Sequence, residues 1–474
     1  MVPAKGFSFM LEFSNIHANE RKDLSIFSSS GAISMISKTD GTAALLQRVS
    51  AEGQMLPLEE RRNFLKHGLL LAGGVITGGA LSANARAAAG NLPPNVPAWT
   101  RSLGPGVLTE PYGKPSRFEK HIVRRNVPWL TADRIASISF TPLAELDGII
   151  TPSSLVFERY HAGIPDIDPE QHRLMIHGLV DRPIILTVDD LRRFPGTSMI
   201  RFLECPANGG MEWRGAQMDA LQFTHGMLSC CEWSGVLLST LLQEVGIRKE
   251  AAWILAEGAD GSHMSRSVPL AKAMDDALIV YAQNGEPLRP EQGYPIRLIN
   301  PGWEGNTCVK WLRRLEVGDQ PWYHREETSK YTDLLADGRA RKFSYEQECN
   351  SVVTYPCPEK PLTEKGRYEV RGLAWSGKGK IKRVDVSFDG GVNWRPARLK
   401  GLVLPKALTR FGLEWDWDGG PAMIQSRAVD ETGYVQPTYT QLREARGTNS
   451  IYHKNAIHTW RLHENGKVTN VQIR

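Results

Sequence analysis

Cysteine is scarce in this sequence of 474 residues, and the six present include no Cys-x-x-Cys pair. Neither a zinc knuckle nor a covalent haem site is therefore encoded, and six cysteines are too few for a disulfide scaffold. The sequence also lacks any run of five basic residues, and its net charge of +5 is scattered, which argues against nucleic-acid binding. With 41% hydrophobic and 23% charged residues, the composition is typical of a large globular protein. The length predicts two or three domains.

An export signal precedes the globular part. Residues Glu59 to Ala89 combine a charged start, an apolar stretch and a run of small residues, as a signal peptide does. The pair Arg61-Arg62, followed by Asn-Phe-Leu-Lys, resembles the twin-arginine signal of proteins that are exported folded. We therefore expect residues 1–89 to be a leader, for which Met55 is the more natural start, and we expect a periplasmic location.

A retained membrane anchor is the alternative interpretation of this leader. The uncharged stretch from Gly68 to Ala85 is diluted by glycines, Thr77, Ser82 and Asn84. It therefore falls below the continuous apolar length of about 20 residues that a membrane helix needs. We expect no membrane span in the mature chain.

The mature chain divides into three parts that differ in composition and hydrophobic pattern. Residues 90–150 are rich in Pro and Gly, which predicts an extended arm. Residues 151–345 alternate short apolar runs typical of strands, such as 278–281, with helical patterns such as 237–245. Residues 346–474 read as short strands, for instance 382–388, that are separated by Gly and Asp turns. We predict an α+β protein in which a mixed α/β domain precedes an immunoglobulin-like β-sandwich.

Cys205 ends a predicted strand and begins the loop Pro-Ala-Asn-Gly-Gly. Strand-to-loop edges of α/β domains are common ligand sites, and a thiolate there can act as a nucleophile or as a soft metal ligand. A buried structural cysteine is the other interpretation. The residue alone does not decide between them.

Several ordered motifs give a more specific indication. Phe157-Glu-Arg-Tyr-His161, Phe202-Leu-Glu-Cys205, Gly293-Tyr-Pro-Ile-Arg297, Val309-Lys-Trp-Leu312 and Leu373-Ala-Trp-Ser-Gly377 follow one another along the chain. In this order they resemble the sulfite oxidase family of molybdopterin enzymes, from about residue 154 to the end. The stretch from Cys205 to Gly215 is most similar to the sulfane dehydrogenase catalytic subunits of that family, which serve thiosulfate oxidation.

The resemblance implies a cofactor, molybdenum-molybdopterin, and residues that hold it. Cys205 matches the cysteine that binds molybdenum. His161 matches a pterin contact, although Tyr160 replaces the usual asparagine beside it. Arg297 and Lys310 match basic positions that would bind the phosphate of the pterin.

The resemblance also implies catalytic residues that act with Cys205. Arg159 matches a substrate-pocket arginine, and Tyr331 matches the active-site tyrosine that follows the Lys-Trp motif. Arg461 is the nearest match to an arginine of the anion pocket near the carboxyl end, in an alignment that needs a small gap.

The expected activity is oxygen-atom transfer to carrier-bound sulfane sulfur, with electrons passed to a separate c-type cytochrome because this chain encodes no haem site. A sulfur-carrier protein would deliver the substrate, and the sandwich would form a homodimer. Sulfite oxidases carry an arginine a few residues after the cysteine, where this chain has Gly209 and Gly210. We expect this change to remove an anion contact and free volume, which favours a larger sulfur substrate.

Three alternatives stay open at this point. A sulfite dehydrogenase acting on free sulfite would use the same cofactor. A cofactor-free protein that uses the sandwich for assembly with an enzyme belongs to another class. A cysteine hydrolase would need a paired histidine, for which the sequence gives no specific signal.

Overall fold

A computed structural model of the chain describes residues 112–127, 135–335 and 337–473. They belong to one structural unit that spans Tyr112–Arg474. The predicted leader, residues 1–89, and part of the predicted arm lie outside the described residues. In the described part of the chain, no helix is long and apolar enough to cross a membrane.

The first domain contains short strands joined by loops and small helices. Its strands are β1 (Ile138–Ser139), β2 (Glu158–Arg159), β3 (Leu174–Gly178), β4 (Ile184–Leu186), β5 (Gly196–Glu204), β6 (Leu228–Leu237), β7 (Trp253–Gly258), β8 (Ser265–Pro269), β9 (Leu278–Gln283), β10 (Glu286–Pro287), β11 (Arg297–Ile299) and β12 (Leu312–Gly318). Its helices are α1 (Val188–Arg192), α2 (Leu221–His225), α3 (Leu238–Val245), α4 (Leu270–Asp275) and α5 (Arg325–Thr328).

Two five-stranded sheets organise this domain. One has the order β10-β9-β6-β5, with β11 also paired to β9, and the other has the order β4-β3-β12-β7-β8. The pairing is antiparallel except between β3 and β12. Helix α3 buries one face in the core to which the second sheet also contributes: Leu238, Leu241, Leu242 and Val245. The spacing of the leucines in the sequence predicts this buried face.

The second domain is a β-sandwich. It is preceded by the ribbon of β13 (Asp333–Leu334) and β14 (Ala340–Arg341). Its strands are β15 (Asn350–Tyr355), β16 (Gly366–Trp375), β17 (Ile381–Ser387), β18 (Arg395–Pro396), β19 (Arg398–Lys400), β20 (Thr409–Trp417), β21 (Ala422–Asp430), β22 (Thr459–Leu462) and β23 (Val468–Val471), and it contains α6 (Tyr439–Arg446). The sheets have the orders β15-β16-β20-β19 and β18-β17-β21-β22-β23.

Alternation along the strands builds the core of the sandwich. In β20, Phe411 and Trp417 are buried, whereas Glu414 and Asp416 are exposed. Because successive side chains of a strand point to opposite faces, one face of β20 enters the core and the other faces solvent. The α+β class with a terminal immunoglobulin-like sandwich is thus confirmed.

The segment between α6 and β22, residues 447–458, connects the sandwich to the first domain. The backbone N–H of His453 donates a hydrogen bond to Pro206 O over 2.8 Å. The indole N–H of Trp375, from β16, donates to the Glu204 carboxylate over 2.8 Å. The sandwich therefore contacts the end of β5 and the loop that follows it, where Cys205 lies.

Candidate active site

Cys205 lies where β5 ends, as the sequence predicts. Its N–H donates to Met227 O over 3.0 Å, and its carbonyl accepts from Asn208 N–H over 2.9 Å, so the loop after it begins with a tight turn. The residue is 8% exposed, and burial raises the pKa of its thiol to about 11. The thiol is therefore protonated at neutral pH until a metal ion or another partner displaces the proton.

A cavity of about 650 Å³ opens beside Cys205. Six of the seven predicted site residues line it, from five different parts of the chain: Arg159, His161, Cys205, Arg297, Lys310 and Tyr331. Other residues of its wall include Phe157, Asp260, Met264, Gln292, Asn306 and Trp311.

Arg297 and Lys310 place two basic side chains in this wall. The carboxylates of Glu158, Asp260 and Glu291 favour the charged form of Lys310, but none of them forms an ion pair with it. The Arg297 guanidinium, which is 2% exposed, donates to Gln292 O over 3.0 Å and to Cys308 O over 2.9 Å, and its Nε has no hydrogen-bond partner. The Lys310 ammonium donates to Glu291 O over 3.0 Å. Neither cation forms an ion pair with any described residue.

Burial lowers the pKa values of both side chains. It lowers the pKa of Arg297 to about 10. It also lowers the pKa of Lys310 to about 7, with the nearby positive charge of Arg297 acting in the same direction. An anion bound between these groups would relieve both effects.

Tyr331 and His161 form a hydrogen-bonded pair in the same wall. The Tyr331 hydroxyl lies 3.2 Å from His161 Nε2. Burial lowers the pKa of His161 to about 3, with help from Arg159, and burial raises the pKa of Tyr331. Both groups are therefore neutral between pH 5 and 8, so the phenol remains a proton donor. Tyr331 also has a φ of +53°, a strained conformation of the kind that clusters at functional sites.

Arg461 does not lie at this cavity, so its predicted place in the anion pocket is wrong. It lies in β22, opposite Met423 of β21 and Thr469 of β23. Its neighbours Trp460 and Leu462 are buried in the sandwich, which turns the Arg461 side chain outward, where it is exposed.

Contrary to the expectation from the sequence, Gly209 and Gly210 do not enlarge the cavity. Neither of them lines it. A Cβ atom on Gly210 would lie 2.5 Å from Ile451 O, and one on Gly209 would lie 3.6 Å from the Lys454 Cβ. The sandwich segment 447–458 therefore fills the space that side chains would take here.

Four residues next to the cavity escaped the sequence-based interpretation: Arg266, Glu304, Tyr452 and His453. The ring centroid of Tyr452 lies 5.5 Å from that of Tyr331. The guanidinium carbon of Arg266 also lies 5.5 Å from the Tyr331 ring centroid. None of the four stands in a motif or a periodic pattern, so only the fold reveals them.

Comparison with known proteins agrees with this geometry. The model of the oxidoreductase molybdopterin binding domain matches residues 161–326, and that of the Mo-co oxidoreductase dimerisation domain matches residues 341–460. The sulfite oxidase of Gallus gallus is 31% identical over 342 residues, which are 65% of this chain and 73% of that protein. The chain belongs to the sulfite oxidase family of molybdopterin enzymes.

Other curated relatives are similar to this chain over different shares of their own length. The NADH nitrate reductase of Ulva prolifera is 31% identical over 351 residues, 65% of this chain and 40% of that protein. The mitochondrial sulfite oxidase of Mus musculus is 33% identical over 274 residues, 54% of this chain and 50% of that protein. The chain thus spans about half the length of several curated relatives.

One solved structure contains a chain that is similar to this protein over nearly the whole length of that chain. The sulfane dehydrogenase SoxCD from Paracoccus pantotrophus has a chain that is 52% identical, with a TM-score of 0.79 over 80% of this chain and 98% of that one. The expected resemblance to sulfane dehydrogenases is thereby confirmed.

The cavity fits the molybdopterin cofactor of this family. Arg297 leaves buried positive charge without a paired carboxylate, and its Nε–H, which has no hydrogen-bond partner, can donate to a further group. A cofactor phosphate would neutralise this charge. The Cys205 thiol would supply one soft sulfur ligand to the metal. No group of three or more His, Cys, Asp or Glu residues that could hold a metal ion occurs among the described residues.

Proposed function

We propose that this chain is the catalytic subunit of a periplasmic sulfane dehydrogenase, which oxidises carrier-bound sulfane sulfur. The observation that carries the proposal is the cavity itself, which brings Cys205, the two basic side chains and the Tyr331–His161 pair together. The 52% identity to a chain of the sulfane dehydrogenase from Paracoccus pantotrophus supports this substrate class. The twin-arginine motif at Arg61-Arg62 supports export to the periplasm.

Five of the seven predicted site residues act on the cofactor or the reacting atoms in this proposal. Cys205 binds molybdenum as a thiolate and releases its proton when it does so. Arg297 and Lys310 hold the phosphate of the pterin by charge-assisted hydrogen bonds. The bound cofactor supplies oxygen-atom transfer to sulfur and accepts two electrons. The neutral Tyr331 hydroxyl donates a hydrogen bond toward the reacting atoms, and His161 orients it.

The loop after Cys205 favours sulfane sulfur over free sulfite. At Gly209 and Gly210 the chain has no side chain that could donate to a small dianion. A lost guanidinium contact of this kind weakens binding by about 1.5–3 kcal/mol. Because the segment 447–458 fills this space, the missing positive charge, and not a larger volume, favours the sulfane substrate. Arg159 remains the cation available for a sulfur oxyanion.

Two kinds of partner complete the proposal. A separate c-type cytochrome accepts the electrons one at a time, since the sequence encodes no covalent haem site. A sulfur-carrier protein presents the sulfane. The sandwich forms a homodimer, which the match of residues 341–460 to a dimerisation domain supports.

A substrate comparison tests the function. Full-length enzyme from a molybdenum-replete host is assayed with a cysteine-persulfide peptide and with free sulfite, using a c-type cytochrome as acceptor. We expect kcat/KM for the persulfide to exceed that for sulfite at least ten-fold. Equal or higher efficiency with sulfite would favour a sulfite dehydrogenase instead.

Metal analysis and a cysteine variant serve as controls for this assay. Cys205→Ser should abolish turnover with either substrate, because the metal loses its protein ligand. Protein without molybdenum in inductively coupled mass spectrometry would instead point to a cofactor-free assembly protein.

A further inference from the structure

Glu304 is a buried carboxylate that the proposed function does not use. The residue is 1% exposed, and it does not line the cavity. Its backbone forms a parallel bridge with Glu204, which directly precedes Cys205. A Cβ atom on the next residue, Gly305, would lie 2.8 Å from Glu204 O. Glu304 therefore occupies a fixed position beside the metal-binding end of β5.

The Glu304 carboxylate joins three side chains. Its Oε1 lies 2.5 Å from His453 Nε2. Its Oε2 accepts from the Asn306 amide over 2.8 Å and lies 3.6 Å from the Arg266 guanidinium. Burial alone would raise the pKa of Glu304, but His453 and Arg266 more than offset it, so the pKa is lowered. The ionised carboxylate thus bridges the Arg266 guanidinium and the His453 imidazole, which come from different domains.

Arg266 extends this network to Tyr331. Its guanidinium is 1% exposed, donates to Glu326 O over 2.6 Å and lies 3.8 Å from the Glu327 carboxylate. Its central carbon lies 5.5 Å from the ring centroid of Tyr331, within the range of a cation–π contact. The carboxylates of Glu304 and Glu327 fix the position of Arg266. Arg266 in turn packs against the ring of Tyr331, whose backbone is strained.

His453 extends the network to the loop after Cys205. Its backbone N–H donates to Pro206 O over 2.8 Å, and its φ of +55° is unusual for a residue other than glycine. The residue before it, Tyr452, packs its ring against Tyr331. Such a strained conformation persists only where surrounding contacts fix it, and here the Glu304 carboxylate is one of them.

We propose that Glu304 is a positioning residue that holds Tyr331 and Cys205 at a fixed separation. It acts on Tyr331 through Arg266, and on the loop after Cys205 through His453. The proposal rests on the proposed function for the reactive roles of Tyr331 and Cys205, but not on which sulfur compound is the substrate. A displacement of about 1 Å in such a site lowers rates by about a hundred-fold.

The test combines a spectroscopic and a kinetic measurement on the full-length protein. 3-Fluorotyrosine is placed at position 331, and its ¹⁹F resonance is recorded in the wild type, in Glu304→Gln and in the exposed control Glu346→Gln. We expect Glu304→Gln to shift or split the resonance and Glu346→Gln to leave it unchanged. In unlabelled enzyme, kcat should fall about 10- to 100-fold in Glu304→Gln, with KM changed less than about three-fold, since only positioning is lost.

A second variant keeps the proposal falsifiable if Glu304→Gln does not fold. His453→Phe removes the hydrogen bond to Glu304, because phenylalanine has no donor, and should also move the Tyr331 resonance. A resonance that coincides with the wild type in every folded variant of Glu304 and His453 would overturn the proposal. Because the resonance is recorded without substrate, a failure of the sulfane assay would leave this measurement intact, so the two proposals fail separately.

Discussion

Arg297 and Arg266 are both buried guanidinium groups of the first domain, but their surroundings differ. Arg297 is held by the backbone carbonyls of Gln292 and Cys308, and no described carboxylate forms an ion pair with it. Arg266 lies between the carboxylates of Glu304 and Glu327, at 3.6 and 3.8 Å. The uncompensated charge indicates a place for an anionic ligand, whereas the compensated charge indicates a part of the framework.

The reason for this distinction is the cost of burying charge. A buried ion without a partner is destabilising by several kcal/mol, and the cost is offset only when an opposite charge arrives. Arg297 shows this cost in its pKa, which burial lowers to about 10. Arg266 needs no anionic ligand, because the carboxylates of Glu304 and Glu327 already offset its charge. Substitutions at the two positions should therefore have different consequences.

Arg266→Met should reduce folding stability most. It leaves the buried carboxylates of Glu304 and Glu327 without their shared cation, and breaking a buried ion pair in this way costs about 3–5 kcal/mol. Urea denaturation of the cofactor-free protein would measure the loss. An unfolding free energy within about 1 kcal/mol of the wild type would contradict the framework role of Arg266.

Arg297→Met should instead reduce cofactor retention. The cofactor phosphate would lose charge-assisted hydrogen bonds, each worth about 1.5–3 kcal/mol, so molybdenum content after gel filtration should fall about 10- to 100-fold. The loss of stability should be smaller than in Arg266→Met, because no carboxylate is left unpaired. Full molybdenum content in this variant would refute the proposal that Arg297 binds the cofactor phosphate.

Anion binding to the cofactor-free protein should depend on pH through Lys310. The pKa of Lys310 is lowered to about 7, so the side chain is charged below this pH and neutral above it. Sulfate, whose own charge is constant in this range, should therefore bind about ten-fold more weakly at pH 8.5 than at pH 6.5. Calorimetry of Lys310→Met provides the control, in which this dependence on pH should vanish.

Arg461→Ala should change nothing measurable at the site. Because this side chain is exposed on β22, away from the cavity, kcat/KM should stay within two-fold of the wild type and molybdenum content should be unchanged. A clear loss of activity would show that Arg461 acts at the site after all, for instance through an arrangement of subunits.

The correct and incorrect predictions have a physical explanation. Cys205, Arg297 and Lys310 stand in contiguous motifs, so their positions could be read without gaps and the structure brings them to one cavity. Arg461 required a gap, and in a strand a shift of one residue moves a side chain to the opposite face. The sandwich itself was predictable, because the apolar residues of β20 alternate along the sequence at Phe411, Leu413, Trp415 and Trp417.

The contacts of Glu304 with Arg266 and His453 could not be predicted in the same way. Glu304 and His453 are separated by 149 residues, and the hydrogen bond between them exists only once the two domains pack together. Single buried charges in loops produce no periodic signal. Similarly, the loss of volume at Gly210 follows from the close approach of Ile451, which belongs to the other domain.

Molybdenum binding by Cys205 in this cavity underlies the whole proposed function, and X-ray absorption at the molybdenum edge can detect it. Wild-type and Cys205→Ser proteins are compared as purified, normalised to their molybdenum content. We predict one sulfur ligand fewer around molybdenum in Cys205→Ser than in the wild type. An equal number of sulfur ligands in both proteins would contradict molybdenum binding by Cys205.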